Sequence, residues 1–305
     1  MLFRSTPMNI LAAQKTFLDY ASGYDLNDVK IRLKADHTLR VADLCRQIAA
    51  SIRLSPEDTD LACLTGILHD VGRFEQVRIY HTFRDAVSVN HAQFSADLLF
   101  KEGLINEYME ALKATDPDRK ADADRKADAD GNADPDRKAD SVVNAGREEI
   151  LSAEDLQTIE KAIRLHNAYR LPEDLTQRER MFCDILRDAD KIDILRVNRE
   201  TPMTEIYDLP EDEFLDSQIS DAVYEDMLAN RNVDRANSRT GVDFLMGHIA
   251  FVFGLVYPIS FRLVKEQGYL DQMLAFESRN AETRKRMERI RAEVESFLIE
   301  KGKTS

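Results

Sequence analysis

The chain has 305 residues, of which 43% are hydrophobic and 32% are charged, and its formal net charge is −14. This length and apolar content allow a sizeable core in one or two domains. The acidic balance argues against binding along a nucleic-acid polymer, because proteins of that class present a basic surface to the phosphates. A small phosphorylated substrate needs only a local basic pocket and is not excluded.

The apolar spacing is helical almost throughout, and we find neither the alternation of a strand nor a hairpin turn pair, so we expect an all-α protein. The N-terminus lacks the long apolar run and cleavage site of a secretory signal. Cys45, Cys63 and Cys183 have no metal-type or paired spacing and lie in helical apolar patterns. These cysteines are predicted to be reduced core residues of a cytoplasmic protein, for which we expect no membrane partner.

The first predicted helices surround the adjacent pair His69 and Asp70. An upstream helix carries His37, with apolar residues four, seven and eleven positions later on the same face. Ser55 is the predicted N-cap of the next helix, which leads to the pair and which Gly72 is predicted to end. A further helix starts near Asn90 and carries His91.

Residues 115–146 break the helical pattern. The sequence Asp-Arg-Lys-Ala-Asp-Ala-Asp occupies both 118–124 and 124–130. A segment without an apolar face cannot offset the entropy of ordering, so we predict a flexible insertion. Asp128-Ala-Asp-Gly131 resembles part of a calcium loop, but no Glu closes it at the required spacing, and a solvated tether is the preferred interpretation.

After the insertion, Ser152 is predicted to cap a helix that leads to His166, and a helix from about Gln177 carries Asp190. Residues 244–261 contain no Asp, Glu, Lys or Arg, and we interpret them as a buried core helix, bent or broken near Pro258, rather than a membrane span. The last helix is predicted to pack through one apolar face. This face carries Met287, Ile290, Val294 and Phe297.

The pair His69 and Asp70 is the most informative feature, because adjacent residues offer a nitrogen and an oxygen to one metal ion. The helices described above bring further donors of the same kinds. These are His37, His91, His166 and Asp190. Buried carboxylates are costly unless a cation compensates them, so Asp70 and Asp190 are hard to explain as packing residues. Six such residues are enough to hold one metal ion or two.

In order and spacing these residues resemble the HD-domain superfamily of metal-dependent phosphohydrolases. Leu68-His-Asp-Val-Gly-Arg73 is similar to the superfamily's helix-ending signature, with Arg where many members have Lys. Asp188-Ala-Asp-Lys-Ile-Asp193 is similar to its last motif, whose second Asp is the ligand, so the resemblance selects Asp190. His91 and His166 match the two additional histidines of the subset that binds two metals.

The resemblance covers about residues 30–200 and implies an all-α HD-domain bundle there, interrupted by the insertion. On this interpretation residues 1–29 are an N-terminal helical segment. Residues 201–305 are additional C-terminal helices, packed on or beside the bundle. A homodimer is left open.

The ligand set favours one or two divalent transition metal ions, Fe or Mn first, with Zn, Co, Ni or Mg as alternatives. In the two-metal interpretation Asp70 is the bridge. The first ion is then held by His37, His69 and Asp190, and the second by His91 and His166. Two ions about 3.5–4 Å apart can activate a hydroxide and clamp a phosphoryl group for in-line attack.

A phosphate ester also requires cationic groups at its oxygens and a proton for the leaving group. Lys191 is the first candidate cation and Arg73 the second. The weaker candidates are Arg84, Arg170 and Arg187. His81 lies between two ligand helices and is interpreted either as a general acid or as an exposed loop histidine.

Three further residues receive supporting interpretations. Asp193, one helical step after Asp190, is predicted to support a ligand from outside the set. Asp188 is interpreted as a helix-surface charge, and His248 as a core residue.

The leading functional hypothesis is therefore hydrolysis of a phosphate mono- or diester of a nucleotide or another small metabolite. A second hypothesis is a di-iron HD-domain oxygenase that uses the same six ligands. A third, weaker hypothesis is a non-catalytic nucleotide sensor, which is disfavoured because this chain retains every ligand.

Overall fold

The computed structural model describes residues 8–113, 150–207 and 209–303, and all regular secondary structure in these ranges is helical. This confirms the prediction of an all-α protein. The repetitive segment 115–146, predicted to be a flexible insertion, lies outside the described residues.

The first part of the chain forms eight described α-helices. Each predicted metal ligand lies within one of these helices or within two residues of its end. They are α1 (Ile10–Ser22), α2 (Val29–Ser51), α3 (Pro56–Leu68), α4 (Gly72–Tyr80), α5 (His91–Phe100), α6 (Ile105–Lys113), α7 (Ala153–Leu165) and α8 (Gln177–Glu200).

The second part forms seven described α-helices, most of them short. They are α9 (Met203–Tyr207), α10 (Glu211–Asp216), α11 (Asp221–Leu228), α12 (Gly241–Ile249), α13 (Pro258–Gln267), α14 (Tyr269–Leu274) and α15 (Ala281–Lys303). Three 3-10 helices connect neighbouring elements of the chain. They cover Asp85–Val87, Arg235–Asn237 and Ala250–Gly254.

Side-chain caps fix the starts of the helices that lead to the predicted ligands. The Ser55 hydroxyl accepts a hydrogen bond from the backbone N–H of Asp58, and the Asn90 side chain accepts two at the start of α5. Ser152 and Asp155 form a reciprocal capping box at the start of α7. Each cap satisfies backbone donors that have no partner within the helix. The predicted starts of these three helices are confirmed.

Gly72 was predicted to end a helix, and this prediction was wrong. It is the first residue of α4. Its backbone N–H donates to the Ser95 hydroxyl on α5 at 3.0 Å, and a Cβ at this position would lie only 2.7 Å from the Ser95 nitrogen. The glycine is therefore required by the close approach of α4 to α5, and α3 ends earlier, at Leu68. Asp70 consequently lies in a three-residue turn between two helices.

α2 packs against both α3 and α8 and so forms the centre of the bundle. At the contact with α3, a Cβ on Gly66 would lie 2.6 Å from the Ala42 Cα, so only glycine permits this spacing. Cys45, Cys63 and Cys183 are buried and free, as predicted. One hydrophobic cluster includes core residues of both parts of the chain.

α8 joins the two parts, because it also packs against α12, α13 and α14. Asp188, which was predicted to be a surface charge, is fully buried at this contact, and that prediction was wrong. Its carboxylate accepts hydrogen bonds from the backbone N–H groups of Val256 and Tyr257 and from the Ser260 hydroxyl. Burial raises the pKa of Asp188 to about 6, although these donors oppose the rise. The carboxylate thus fastens the start of α13 to α8.

The uncharged segment 244–261 is broken as predicted. α12 ends at Ile249, a 3-10 turn follows, and Pro258 is the first residue of α13, where the missing N–H costs nothing. Within the described ranges, no helix combines the length and apolarity that a membrane crossing requires. In α15 the predicted apolar face is confirmed, since Met287, Ile290 and Val294 are buried.

Candidate metal centre

The structure brings the six predicted ligands together from five helices and one turn. His37 lies within α2, and Asp190 lies within α8. The other residues lie at helix ends: His69 and His166 cap α3 and α7, and His91 begins α5. The side chain of Asp190 is 13% exposed, and the other five residues are buried.

The first group of ligand atoms surrounds one oxygen of Asp70. Its Oδ2 atom lies 3.7 Å from His37 Nε2 and 3.5 Å from His69 Nε2. The Oδ1 atom of Asp190 lies 3.1 Å from His37 Nε2 and 3.8 Å from His69 Nε2. Each of these two nitrogens therefore lies within 3.1–3.8 Å of one oxygen of Asp70 and one oxygen of Asp190.

The second group surrounds the other oxygen of Asp70. Its Oδ1 atom lies 3.7 Å from His91 Nε2 and 3.8 Å from His166 Nε2, and these two nitrogens are 2.9 Å apart. The two oxygens of one carboxylate thus face two different groups of histidines. Both triads that contain Asp70 have their donor atoms within 4.8 Å of one another.

Hydrogen bonds to the outer nitrogens fix the tautomers of three histidines. The Nδ1 atoms of His69 and His166 each lie 2.7 Å from a backbone carbonyl three residues earlier, and His91 Nδ1 lies 2.6 Å from the Asp85 carboxylate. These oxygens can only accept, so each Nδ1 carries the hydrogen, and each Nε2 directs a lone pair into the cluster. Such outer partners orient the imidazoles that bind metals.

His37 is held between two carboxylates. Its Nδ1 atom lies 2.7 Å from Asp193 Oδ2, and Asp193 is also bridged by the Arg196 guanidinium. Burial and Lys34 lower the pKa of His37, but Asp190 and Asp193 outweigh them and raise it. A metal ion bound at His37 would therefore displace a proton. Asp193 contacts a ligand from outside the cluster, in the position predicted for it.

The charges of the remaining groups suit cation binding. Burial lowers the pKa of His91 to about 4 and that of His166 to about 3, so both rings are neutral at pH 7. Burial would raise the pKa of Asp70, but Lys34 and His69 hold it well below its usual range. Asp190 also has a lowered pKa, because His37 overcomes the effect of burial. The cluster therefore combines two anionic carboxylates with neutral imidazoles at His91 and His166.

The donor atoms fit divalent transition metals. Among the described residues, His69 Nε2 and Asp70 Oδ1 are buried without a hydrogen-bond partner, although buried polar atoms normally have one. Two neutral imidazole lone pairs 2.9 Å apart repel each other unless they share a cation. Two ligands at about 2.1 Å from one ion and at right angles are about 3.0 Å apart, which matches this separation.

The two leading phosphate-binding candidates both have partners within the protein. The Arg73 guanidinium donates to Gln76, to Asp85 and to the Phe83 carbonyl, at 2.7–3.0 Å. Lys191 is 8% exposed, and its Nζ atom donates to the Gly254 carbonyl at 2.8 Å. Burial lowers the pKa of Lys191 to about 8. Their predicted role at a phosphate is therefore not evident from these contacts.

The weaker candidates are also placed. Arg187 donates to three backbone carbonyls at the end of α7, including that of His166, and so holds this ligand's backbone. Arg84 and Arg170 are exposed, and Arg170 lies over the Tyr169 ring. Arg187 therefore has a structural contact, and Arg84 and Arg170 are surface residues.

The two remaining histidines lie outside the cluster. His81 ends α4 with a left-handed backbone and an exposed side chain, which favours the interpretation as a loop histidine over that as a general acid. His248 on α12 is half-buried, with its ring edge against Phe251.

Two residues at the site were missed in the sequence. Lys34 lies three positions before His37 on α2, and its Nζ atom is 2.7 Å from Asp70 Oδ2. That helical spacing could have indicated a shared face. Asp85 bridges Arg73 and His91, at 3.0 and 2.6 Å. It begins a 3-10 helix of three residues, which is too short for apolar periodicity to indicate which side chain faces the cluster.

Comparison with known proteins gives one match. Residues 35–122 match the family model of the HD domain, and this range contains His37, His69, Asp70 and His91. His166 and Asp190 lie beyond the matched range. No curated protein and no solved structure matches the chain. The family match therefore identifies an HD domain at residues 35–122, within the all-α fold.

Proposed function

We propose that the protein is a metal-dependent phosphohydrolase with a binuclear centre, acting on a phosphate mono- or diester of a nucleotide or other small metabolite. The proposal rests on one observation, which is that the two oxygens of the Asp70 carboxylate face different pairs of histidines. One of its oxygens faces His37 and His69, and the other faces His91 and His166. A single ion would leave one of these groups of lone pairs without a cation.

In this proposal His37, His69 and Asp190 hold the first ion, His91 and His166 hold the second, and Asp70 bridges them. Mixed imidazole and carboxylate ligands favour Fe or Mn. When bound, two such ions supply Lewis acidity to a phosphoryl oxygen and lower the pKa of a coordinated water. The protein therefore needs no separate strong base in the site.

The surrounding residues keep the ligands in place. Asp85 accepts from His91 and is held by Arg73 and Gln76, so the connection between α4 and α5 is tied to the second group. Asp193, on α8, accepts a hydrogen bond from the His37 Nδ1 atom and so orients this imidazole. Such fixed geometry lets a site stabilise developing charge without reorganising during the reaction.

Substrate access is proposed from the side of the first group. Among the six predicted ligands the side chain of Asp190 is the most exposed, at 13%, compared with 5% for His91 and 1% for His166 in the second group. The side chain of Lys34, which contacts Asp70 Oδ2, is 14% exposed. The ester would reach the cluster where Lys34 and Asp190 meet solvent.

The test is phosphate release from a panel of nucleotides and simple mono- and diesters, with Mn added and the bound metals quantified. We expect release that requires Mn and disappears in Asp70→Asn. Absence of release from every ester, combined with the electron paramagnetic resonance spectrum of a redox-active di-iron centre, would contradict the proposal and favour an oxygenase.

A further inference from the structure

Lys34 brings a positive charge into contact with the proposed bridging carboxylate. It lies on α2 one turn before His37, and its Nζ atom is 2.7 Å from Asp70 Oδ2. The contact joins residues 36 positions apart in the sequence, so it depends on the packing of α2 against the turn after α3. A lysine beside a metal ligand is a costly arrangement unless the ammonium serves the site, because a bound cation would repel it.

The other cations described near the cluster have their hydrogen-bond acceptors outside the ligand set. The Nη1 atom of Arg73 is held by Asp85 and two further acceptors, and its Nε atom, which has no hydrogen-bond partner among the described residues, lies 3.8 Å from Asp70 Oδ1. Lys191 is held by the Gly254 carbonyl. Arg187 serves the end of α7. Lys34 differs from these residues because its hydrogen-bond acceptor, Asp70, is itself a member of the ligand set.

The Lys34 side chain is partly accessible to solvent. It is 14% exposed, similar to Asp190 at 13%, which is the most exposed member of the cluster. Both Lys34 and Arg73 lie near the Phe83 ring, whose centroid is 5.7 Å from the Lys34 Nζ atom and 5.5 Å from the Arg73 guanidinium. This ring therefore contributes a favourable contact for the Lys34 ammonium group.

We propose that Lys34 binds the phosphoryl oxygens of the substrate, an inference that rests on the proposed function. Metal ions bound by Asp70 would neutralise its carboxylate, and the three N–H donors of Lys34 would then be available to an anion. Lysine binds phosphate as a compact point charge. The residue would thereby supply the cationic group that Arg73 and Lys191, in their observed contacts, do not.

The experiment measures inorganic phosphate binding to the Mn-loaded protein by calorimetry, in parallel with Mn content. Lys34→Met should weaken phosphate binding about tenfold or more, which is the expected loss of one charge-assisted hydrogen bond, and should retain Mn. Lys30→Met is the matched control. This lysine lies one turn earlier on α2 and donates to the His81 carbonyl, so phosphate affinity should be unchanged.

Unchanged phosphate affinity in Lys34→Met would overturn the inference. Loss of Mn from this variant would also overturn it, because Lys34 would then act by holding Asp70. The two proposals fail separately. Ester hydrolysis by wild type with unaltered phosphate binding in Lys34→Met removes only the role of Lys34. Phosphate binding that depends on Lys34, in a protein that hydrolyses no ester, removes only the phosphohydrolase.

Discussion

Two carboxylates on α8, only two positions apart, have opposite surroundings. Asp188 faces the C-terminal helices and accepts hydrogen bonds from two backbone N–H groups and from Ser260. Asp190 faces the bundle, where its near neighbours are the Nε2 atoms of His37 and His69. The first carboxylate has hydrogen-bond donors that belong to the fold, whereas the neighbours of the second are imidazole nitrogens of the predicted ligand set. Burial alone therefore does not identify a functional aspartate, but the kind of neighbour does.

The largest expected effect comes from Asp70, which occupies both halves of the cluster. Asp70→Asn removes the negative charge between the two groups, so we expect loss of bound metal and at least a ~100-fold loss of activity, since even outer partners of ligands cost 10–100-fold. Metal analysis and phosphate release check this. Asp43→Asn, an exposed change on α2 at a residue bonded to Gln47, is the control and should retain both. Retained metal in Asp70→Asn would contradict the assignment.

The contrasting residue, Asp188, should affect stability and not metal content. Asp188→Ala leaves buried donors at the start of α13 without an acceptor, at a cost of about 3 kcal/mol in the free energy of unfolding. Urea denaturation measures this cost, and metal analysis should show unchanged stoichiometry. A variant of normal stability that has lost its metal would reverse the comparison between the two carboxylates.

The pH dependence of stability sharpens the same comparison. The pKa of Asp188 is raised from 3.8 to about 6 by burial, so its contribution is full below pH 3.8 and is lost as pH rises through 6. Relative to Asp188→Asn, the wild type should lose about 2 kcal/mol of unfolding free energy between pH 4.5 and 7. Denaturation curves of both proteins over this interval measure the change. A wild type that gains unfolding free energy relative to Asp188→Asn as the pH rises would contradict this prediction.

A smaller effect is expected at Asp193, which touches the cluster only through His37. Asp193→Asn should weaken metal binding about 10- to 100-fold, because the imidazole loses its charged acceptor. Equilibrium dialysis against Mn measures the change. Glu200→Gln is the matched control, since it also removes an acid bonded to Arg196 but contacts no ligand. Equal affinities in the two variants would show that the Arg196 ion pairs, and not the histidine contact, matter.

Much of this arrangement could be predicted from the sequence. Helix starts at Ser55, Asn90 and Ser152 follow from local capping chemistry, which depends on residues within one turn. The ligand set was predicted because adjacent His69 and Asp70 have few structural uses together. The structure then gathers these ligands in one cluster, as the resemblance to the superfamily implied.

The misses share one cause, which is that they depend on long-range packing. Asp188 was predicted to be a surface charge, and only the packing of α13 against α8 shows that it is buried. Gly72 is a typical helix-ending residue, but the approach of α5 makes it a helix start. Helical spacing places Lys34 on the face of His37, but its contact with Asp70 depends on how α2 packs against the turn after α3. Asp85 reaches His91 from the connection between α4 and α5, which has no such spacing.

The central claim is that Asp70 serves two ions at once. The most direct measurement is the number of metal ions per chain in the purified protein after loading with Mn or Fe, compared with His91→Ala. The account predicts two ions in the wild type and one in the variant, because His91 belongs only to the second group. One ion in the wild type, with unchanged content in His91→Ala, would contradict the binuclear assignment.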